Sequence, residues 1–470
     1  MASAARDVGL PTHLLRHALR AGRADENRVM AGAVRAMGGR APERCVRVPL
    51  DTAGRFPRKR PVVGQHGAMA PPSDGTPRTP KSGAPHRARR RGRSFLGWVI
   101  VMCLCLVVIL SLVPDALGPL NGSLRLSQRF PFSQVIALRS PLAFGFAVLG
   151  LVVGAAALVR RARRTGGRRM AVLAVVLLLI AGAHTGALAH RGLDSGQVVT
   201  AADPAVIDSA AWDGTVRILT FNTLQGRADR SRLAADIDDA GAQVVVLPET
   251  GADEGRELAD LLSRDGLPYA VHSSASGGGR SAGEEAAGDS GAAESEGTDD
   301  AVAPTTVLIS PILGEYEEDR PVDDIGHGAV LLRPAGDVTT PAGYVRPTLL
   351  GVHTIAPLPG TMEDWSRTVT AAARQCAPET LVPGTIVAGD FNATLDHAPL
   401  KDLGGCADAG TQSGIGGLAT WPTASRTDLL GATLDHILVD ESVWTASAGR
   451  VLSISGSDHR GVLVELRQAQ

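Results

Sequence analysis

The sequence predicts an α/β domain, two sheets flanked by helices, carried behind three membrane-spanning helices and a basic N-terminal tail. From residue 214 to 470, apolar strand-like runs alternate with amphipathic helical stretches, a pattern that two sheets with helices on their outer faces would bury. Ahead of it lie three charge-free apolar runs of 19–20 residues. The net charge of −1 over 470 residues is a cancellation: residues 1–93 carry +14, residues 94–190 carry +8 and residues 191–470 carry −23. Asymmetry of that size places segments in different surroundings. With 44% hydrophobic residues and five cysteines, the chain is not collagenous, disulfide-dense or wholly disordered.

Residues 1–93 show no sustained hydrophobic period and carry basic clusters such as Arg58-Lys59-Arg60. The segment is expected to be a disordered cytoplasmic tail near anionic lipid rather than a nucleic-acid-binding arm. Met69 is an alternative start that would remove much of it. The three apolar runs within 94–190, at 95–113, 141–159 and 170–189, each match the roughly 20 residues that cross a bilayer. A cleaved signal peptide is the alternative for the first run, but its apolar stretch exceeds a signal core and two further spans follow. His184, near the end of the third run, is expected at the membrane interface. Arg87, Arg89, Arg90, Arg91 and Arg93 flank the first run, and Arg160, Arg161, Arg163, Arg164, Arg168 and Arg169 separate the second from the third. The longer loop between the first two runs holds only Arg125, Arg129 and Arg139. By the positive-inside rule the tail is cytoplasmic and everything after residue 190 lies outside, which makes a multi-pass cell-membrane protein.

Residues 191–213 read as a linker, and residues 214–470 as the catalytic domain. Val216–Leu224 is strand-like, Leu233 and Ile237 mark a helix ending near Gly241, Val244–Leu247 is a buried strand, and Leu258, Leu261 and Leu262 mark another helix. The stretch 273–303 is rich in Gly, Ser and Glu and is expected to be a flexible insertion. Strands resume at Thr306–Ile309, Ala329–Leu332 and Pro347–His353. Thr361 with Asp364 resembles a capping box, opening a helix whose one face carries Met362, Trp365, Val369 and Ala372. Thr385–Ala388, Leu434–Val439, Val451–Ile454 and Val462–Leu466 complete the strands, and Trp365 and Trp421 are read as core, with a place in a substrate cleft the alternative for Trp421. Cys376 and Cys406, in an oxidising compartment, are expected to pair; a buried free thiol at Cys376 is the alternative.

Six short segments carry the chemistry: Thr220-Phe221-Asn222, Pro248-Glu249-Thr250, Gly351-Val352-His353-Thr354, Gly389-Asp390-Phe391-Asn392, Leu434-Asp435-His436-Ile437-Leu438 and Ser457-Asp458-His459. Nearly all sit at or just after the C-terminal end of a strand-like run, where side chains from several strands can converge. Asp390 and Asn392 point the same way in extended backbone, with Phe391 toward the core; the pair also suits an Asx turn. Glu249 follows a wholly apolar strand, an awkward place for a lone charge unless something cationic meets it. Carboxylates and carboxamides are hard ligands that suit Mg²⁺, Mn²⁺ or Ca²⁺, and no Cys/His cluster has zinc spacing. Such an ion beside histidines suits in-line attack on phosphorus, with a histidine activating water or protonating the leaving oxygen.

The order of these segments resembles the endonuclease/exonuclease/phosphatase (DNase I-like) superfamily over residues 214–470, and is similar to its membrane-anchored actinobacterial members. The resemblance implies a four-layer α/β/β/α sandwich. It implies that Glu249 binds Mg²⁺ (or Mn²⁺), with Asn222 and Asp458 near it, and that Asp390 and Asn392 orient the nucleophilic water and a phosphate oxygen. His459 would be the general base, oriented by Asp435, and His353 would stabilise the phosphorane or assist the leaving group. One departure is that no second acidic residue can be assigned between Glu249 and His353, so His353 lacks a carboxylate support or takes one from the Glu315–Asp319 cluster.

The expected protein is a membrane-anchored, metal-dependent phosphodiesterase or phosphomonoesterase acting outside the cell. A lipid-linked phosphate ester stands ahead of nucleic acid as substrate, because the charge of −23 over residues 191–470 opposes non-specific polyanion binding. An extracellular nuclease, or a catalytically silent sensor on the same scaffold, is the alternative. Membrane lipid is the other expected partner, and no obligate protein partner is inferred.

Overall fold

The computed structural model describes residues 85–194, 212–263, 269–274, 302–320 and 322–468. The basic tail up to residue 84, residues 195–211 of the linker and residues 275–301 of the Gly/Ser/Glu-rich stretch lie outside the described residues.

Three helices are long and apolar enough to cross a membrane: α1 (Pro85–Leu112, its apolar part Phe95–Leu112), α3 (Arg139–Ala162) and α4 (Arg168–Arg191). A short helix, α2 (Phe132–Ala137), lies between the first two. His184 is 1% exposed, packed among the helices near their sandwich-facing ends. Its Nε2 lies 3.1 Å from Ser111 Oγ of α1, and its Nδ1 lies 3.2 Å from an Arg139 guanidinium nitrogen. A ring with two polar atoms is satisfied by neighbouring helices at lower cost than by lipid.

Two mixed six-stranded sheets follow. The first runs β11–β12–β1–β2–β4–β3, from β1 (Thr215–Thr220), β2 (Val244–Leu247), β3 (Ala270–Ser273), β4 (Thr306–Ile309), β11 (Trp444–Leu452) and β12 (Gly461–Gln468). The second runs β5–β6–β7–β8–β10–β9, from β5 (Tyr316–Glu318), β6 (Gly328–Pro334), β7 (Thr348–His353), β8 (Thr385–Asp390), β9 (Cys406–Asp408) and β10 (Asp435–Asp440). Alternation along the strands sorts the side chains. Val244 and Val246 enter the core between the sheets, while Val245 and Leu247 face α5 (Arg230–Ala240) and α6 (Ala252–Leu262). On the second sheet, Leu350, Val352, Val387 and Leu438 pack against Trp365, Val369 and Ala372 of α7 (Met362–Ala373). Helices, sheet, sheet and helix make the four layers. Gly241 ends α5 in the left-handed region at φ 57°.

Some elements differ from expectation. The first strand stops at Thr220, because residues 221–226 form a loop with Leu224 and Gln225 at positive φ. The Thr361 capping box does not form: its hydroxyl donates back to Ala356 O at 2.6 Å instead of capping α7. Val451–Ile454 is only the end of the nine-residue β11. Cys376 and Cys406 are joined by a disulfide.

The sandwich rests on the helical region through polar contacts. The Asp396 carboxylate accepts from Arg139 at the head of α3 and from Arg191 at the end of α4, the latter at 2.7 and 2.9 Å. Asp115, after α1, accepts from Lys401 Nζ at 2.6 Å. Ser140 Oγ exchanges two hydrogen bonds with the Gly431 backbone at 3.1 Å.

Candidate active site

Each sheet brings three neighbouring strands to one end of the sandwich. In the second sheet, register places His353 opposite Asp390 across β7 and β8, and Asp390 opposite Asp435 across β8 and β10. In the first, Asn222 follows β1, Glu249 follows β2 and His459 precedes β12, three strands that lie side by side. The two rows face each other.

The polar groups interlock. Asn222 Nδ2 donates to Glu249 Oε1 at 2.9 Å and to Asp390 Oδ2 at 3.0 Å, tying the sheets together. His459 Nδ1 lies 2.9 Å from Asp435 Oδ2, and its Nε2 lies 3.7 Å from Asp390 Oδ2. The backbone N–H of Asn392 donates to Asp390 Oδ1 at 2.8 Å, so the Asx turn forms, and Asn392 sits at φ 46° rather than extended. Its amide donates to Thr354 O at 2.9 Å. Glu249 is also at positive φ, 58°. Two non-glycine residues in this sparsely occupied region, both in the site, carry strain that the surrounding contacts hold. Gly389, at φ 152°, lets β8 approach β7: an added Cβ would lie 1.9 Å from Val352 O.

Asp458 lines the cavity but is engaged elsewhere, accepting from Trp421 Nε1 at 3.0 Å. Trp421, read from sequence as core, thus lines the site. His353 Nε2 is 3.8 Å from both Glu249 Oε1 and Asp390 Oδ2, contact distances rather than hydrogen bonds. The Glu315–Asp319 cluster does not support it, since Asp319 pairs with Arg333 and Glu318 with His272. The neighbour of His353 is instead His327, with ring centroids 4.8 Å apart. His327 and His397 also line the cavity, and nothing in their sequence context marks them.

Electrostatics follow from this crowding. Burial opposes charge on His459, but the carboxylates of Asp435, Asp390 and Asp458 overcome it and push the imidazole up to about 10. Burial pushes His353 down to about 4, against the pull of Asp390. Burial, reinforced by Asp390, holds the Glu249 carboxyl above its ordinary range.

The residues fit a hard divalent cation. Ligand atoms of Asp390, Asp435 and His459 lie within 4.8 Å of one another. Asp435 Oδ1 is buried without a hydrogen-bond partner among the described residues. From the opposite sheet, the Asn222 amide bonds both Asp390 Oδ2 and Glu249 Oε1, which brings the Glu249 carboxylate beside this cluster. Oxygen donors predominate, as Mg²⁺ and Mn²⁺ require.

A sequence profile described as the endonuclease/exonuclease/phosphatase family matches residues 219–459, half of the chain and every residue of this constellation. The chain belongs to that family. Family members are hydrolases of phosphate esters and generally depend on divalent metal, in keeping with the Asp/Asp/His cluster. Among solved structures, the chain is similar to an endonuclease/exonuclease/phosphatase from Beutenbergia cavernae (20% identity, 54% of this chain and 72% of that one, TM-score 0.38). It is also similar to the human Nocturnin catalytic domain with bound sulfate (14%, 55% and 96%, TM-score 0.38). A third is D. rerio TDP2 complexed with single-strand DNA product (15%, 54% and 100%, TM-score 0.38). No curated protein matches the chain.

Proposed function

We propose that this family member is a membrane-anchored, Mg²⁺- or Mn²⁺-dependent phosphoesterase that hydrolyses a lipid-linked phosphate ester outside the cell. The observation that carries this reading is the meeting of Asn222, Glu249 and His459 with His353, Asp390 and Asp435 at one end of the sandwich. Water oxygen attacks phosphorus, the bond from phosphorus to the leaving oxygen breaks, and the water proton passes by way of His459 Nε2 to the leaving oxygen. Asp435 holds His459 Nδ1, which leaves Nε2 facing Asp390 and the entering water. Asp390 and Asn392 orient that water and one phosphoryl oxygen. His353, kept neutral by burial, presents Nε2 to the same region and stabilises the phosphorane. Glu249 would hold the metal, with Asn222 and Asp458 near it. The bound cation supplies neutralisation of these carboxylates and of the charge developing on phosphoryl oxygens.

Two features support the lipid and the location. No Lys or Arg stands among the described residues that line the cavity, which removes the phosphate contacts a long nucleic acid needs. The Cys376–Cys406 disulfide and the arginines at 160–169 agree with an exterior domain. The test is hydrolysis by the full chain in nanodiscs, with Mg²⁺ or Mn²⁺, of prenyl phosphates, phospholipids, single-stranded and duplex DNA. Hydrolysis of a lipid phosphate, abolished by chelator and by Asp390→Asn, is expected; turnover of DNA alone, or equal rates in Asp390→Asn, would overturn the reading.

A further inference from the structure

The site cavity, about 710 Å³, has one polar side and one apolar side, and the apolar side is built in part by the membrane region. Ala137 and Leu138 line it, as do Ile355, Pro357 and Leu358 of the loop after β7. The two segments are in contact. Gln134 Nε2 of α2 donates to Pro357 O, and His397 Nε2 lies 3.0 Å from Ser133 O. Leu138 is the residue directly before α3, the second membrane-crossing helix, so the cavity mouth lies where a span begins.

Apolar side chains close in sequence or contact to these lining residues are exposed. Phe132 and Val135 of α2 are 46% and 44% exposed, and Leu358 is 59% exposed. Leu429 and Leu430 are exposed as well, next to the Gly431 backbone that hydrogen-bonds Ser140 in the first turn of α3. Apolar side chains gathered at the head of a span are costly in water and stable against the acyl region of a bilayer. A water-soluble phosphate ester needs no such wall.

On the phosphoesterase reading above, we infer that α2 and Leu138 form half of the substrate site, and that the hydrocarbon chain of a membrane-embedded phosphate ester lies between Leu138 and the 355–358 loop while its phosphate reaches Asp390 and His459. The segment between the first two membrane helices is then part of the specificity apparatus. The chain stays in contact with apolar surface from bilayer to site, so only the head group has to leave the membrane. Leu138 and Leu358 are specificity residues, touching the chain rather than the reacting atoms.

The experiment uses the full chain in detergent with Mn²⁺ and two soluble diesters, p-nitrophenyl ethyl phosphate and p-nitrophenyl dodecyl phosphate below its micelle concentration. The readout is the ratio of kcat/KM for dodecyl over ethyl. At about 0.8 kcal/mol for each methylene buried, seating even four of the ten extra methylenes predicts a ratio of about a hundred or more in the native chain. Leu138→Asp and Leu358→Asp should each lower that ratio by tenfold or more. Leu358 is exposed, so its variant keeps the test usable if Leu138→Asp fails to fold. A native ratio near one, or a high ratio that neither variant changes, would overturn the inference while leaving the phosphoesterase reading intact. Failure to hydrolyse either diester, farnesyl phosphate or dioleoyl phosphatidate with metal present would sink the phosphoesterase reading, and this inference with it. Farnesyl phosphate and dioleoyl phosphatidate, assayed in nanodiscs, distinguish a prenyl from an acylglycerol source of the chain.

Discussion

His459 depends on one contact for its tautomer and on another for its task. Asp435, at 2.9 Å from Nδ1, directs Nε2 toward Asp390. If the two act as a unit, their losses are not additive. His459→Ala is expected to lower kcat by roughly 10²–10⁴, the usual worth of positioned proton transfer. The double variant His459→Ala/Asp435→Asn should fall no more than about threefold further. Steady-state rates on p-nitrophenyl ethyl phosphate decide it, and a fully additive double loss would show that Asp435 acts independently. Glu249 is held differently, its Oε1 by the Asn222 amide and its Oε2 by the Gln225 backbone N–H at 3.0 Å. Glu249→Gln keeps the shape and one of the two accepted hydrogen bonds while removing the charge. It should weaken the Mn²⁺ requirement curve by tenfold or more in apparent affinity, with little change in Tm without metal; calorimetric titration reads the first and thermal unfolding the second.

At the scale of elements, the site depends on how closely β7 and β8 approach. Gly389 makes that approach possible, since any Cβ there would meet the Val352 carbonyl. Gly389→Ala should therefore destabilise by about 2 kcal/mol or more, lowering Tm by roughly 4–8 °C in a domain of this size. A Tm within 1 °C of native would show that the strands separate freely. The disulfide is the second element-level feature. It joins the turn after α7 to β9 across a separation of 30 residues, and on loop entropy contributes about 3–4 kcal/mol. Maleimide applied to the unreduced, denatured chain should label neither Cys376 nor Cys406; labelling of both would refute the pair.

For the whole molecule, Asp396 is the joint between sandwich and membrane helices. Its carboxylate stands between two guanidiniums, both buried or nearly so. Burial alone would raise its pKa; Arg191 and Arg139 overcome that and hold it well below the usual carboxylate range. A depressed folded value means that the ion pair stabilises fully above the ordinary carboxylate pKa of about 3.9 and fades as pH falls through the folded value below it. Asp396→Asn leaves two arginines facing a neutral amide and should cost about 3–5 kcal/mol. The Tm gap between native and variant chains should stay constant from pH 8 to pH 5 and close only below pH 4. A gap that closes between pH 7 and pH 5 would show that another group carries the contact.

Much of this protein was legible in the order of its residues. Three charge-free runs of membrane length, the 3.6-residue period of α5, α6 and α7, and apolar strands ending in Asn222, Glu249, His353 and Asp390 are local facts, written in side-chain period and strand-end chemistry. They point to two sheets flanked by helices, and the order of the strand-end motifs carries the resemblance to the family whose profile matches residues 219–459. What only the tertiary structure decided depends on pairing between distant segments. Register set Asp435 and His353 on either side of Asp390, although 45 and 37 residues separate them from it in sequence. Packing turned Trp421 from the core toward Asp458 and brought unremarkable His327 beside His353. Most of all, the docking of Asp396 on Arg139 and Arg191 carried an interspan helix to the mouth of the site. No local period encodes that last contact, because its partners lie 257 and 205 residues apart and each alone reads as an ordinary surface charge.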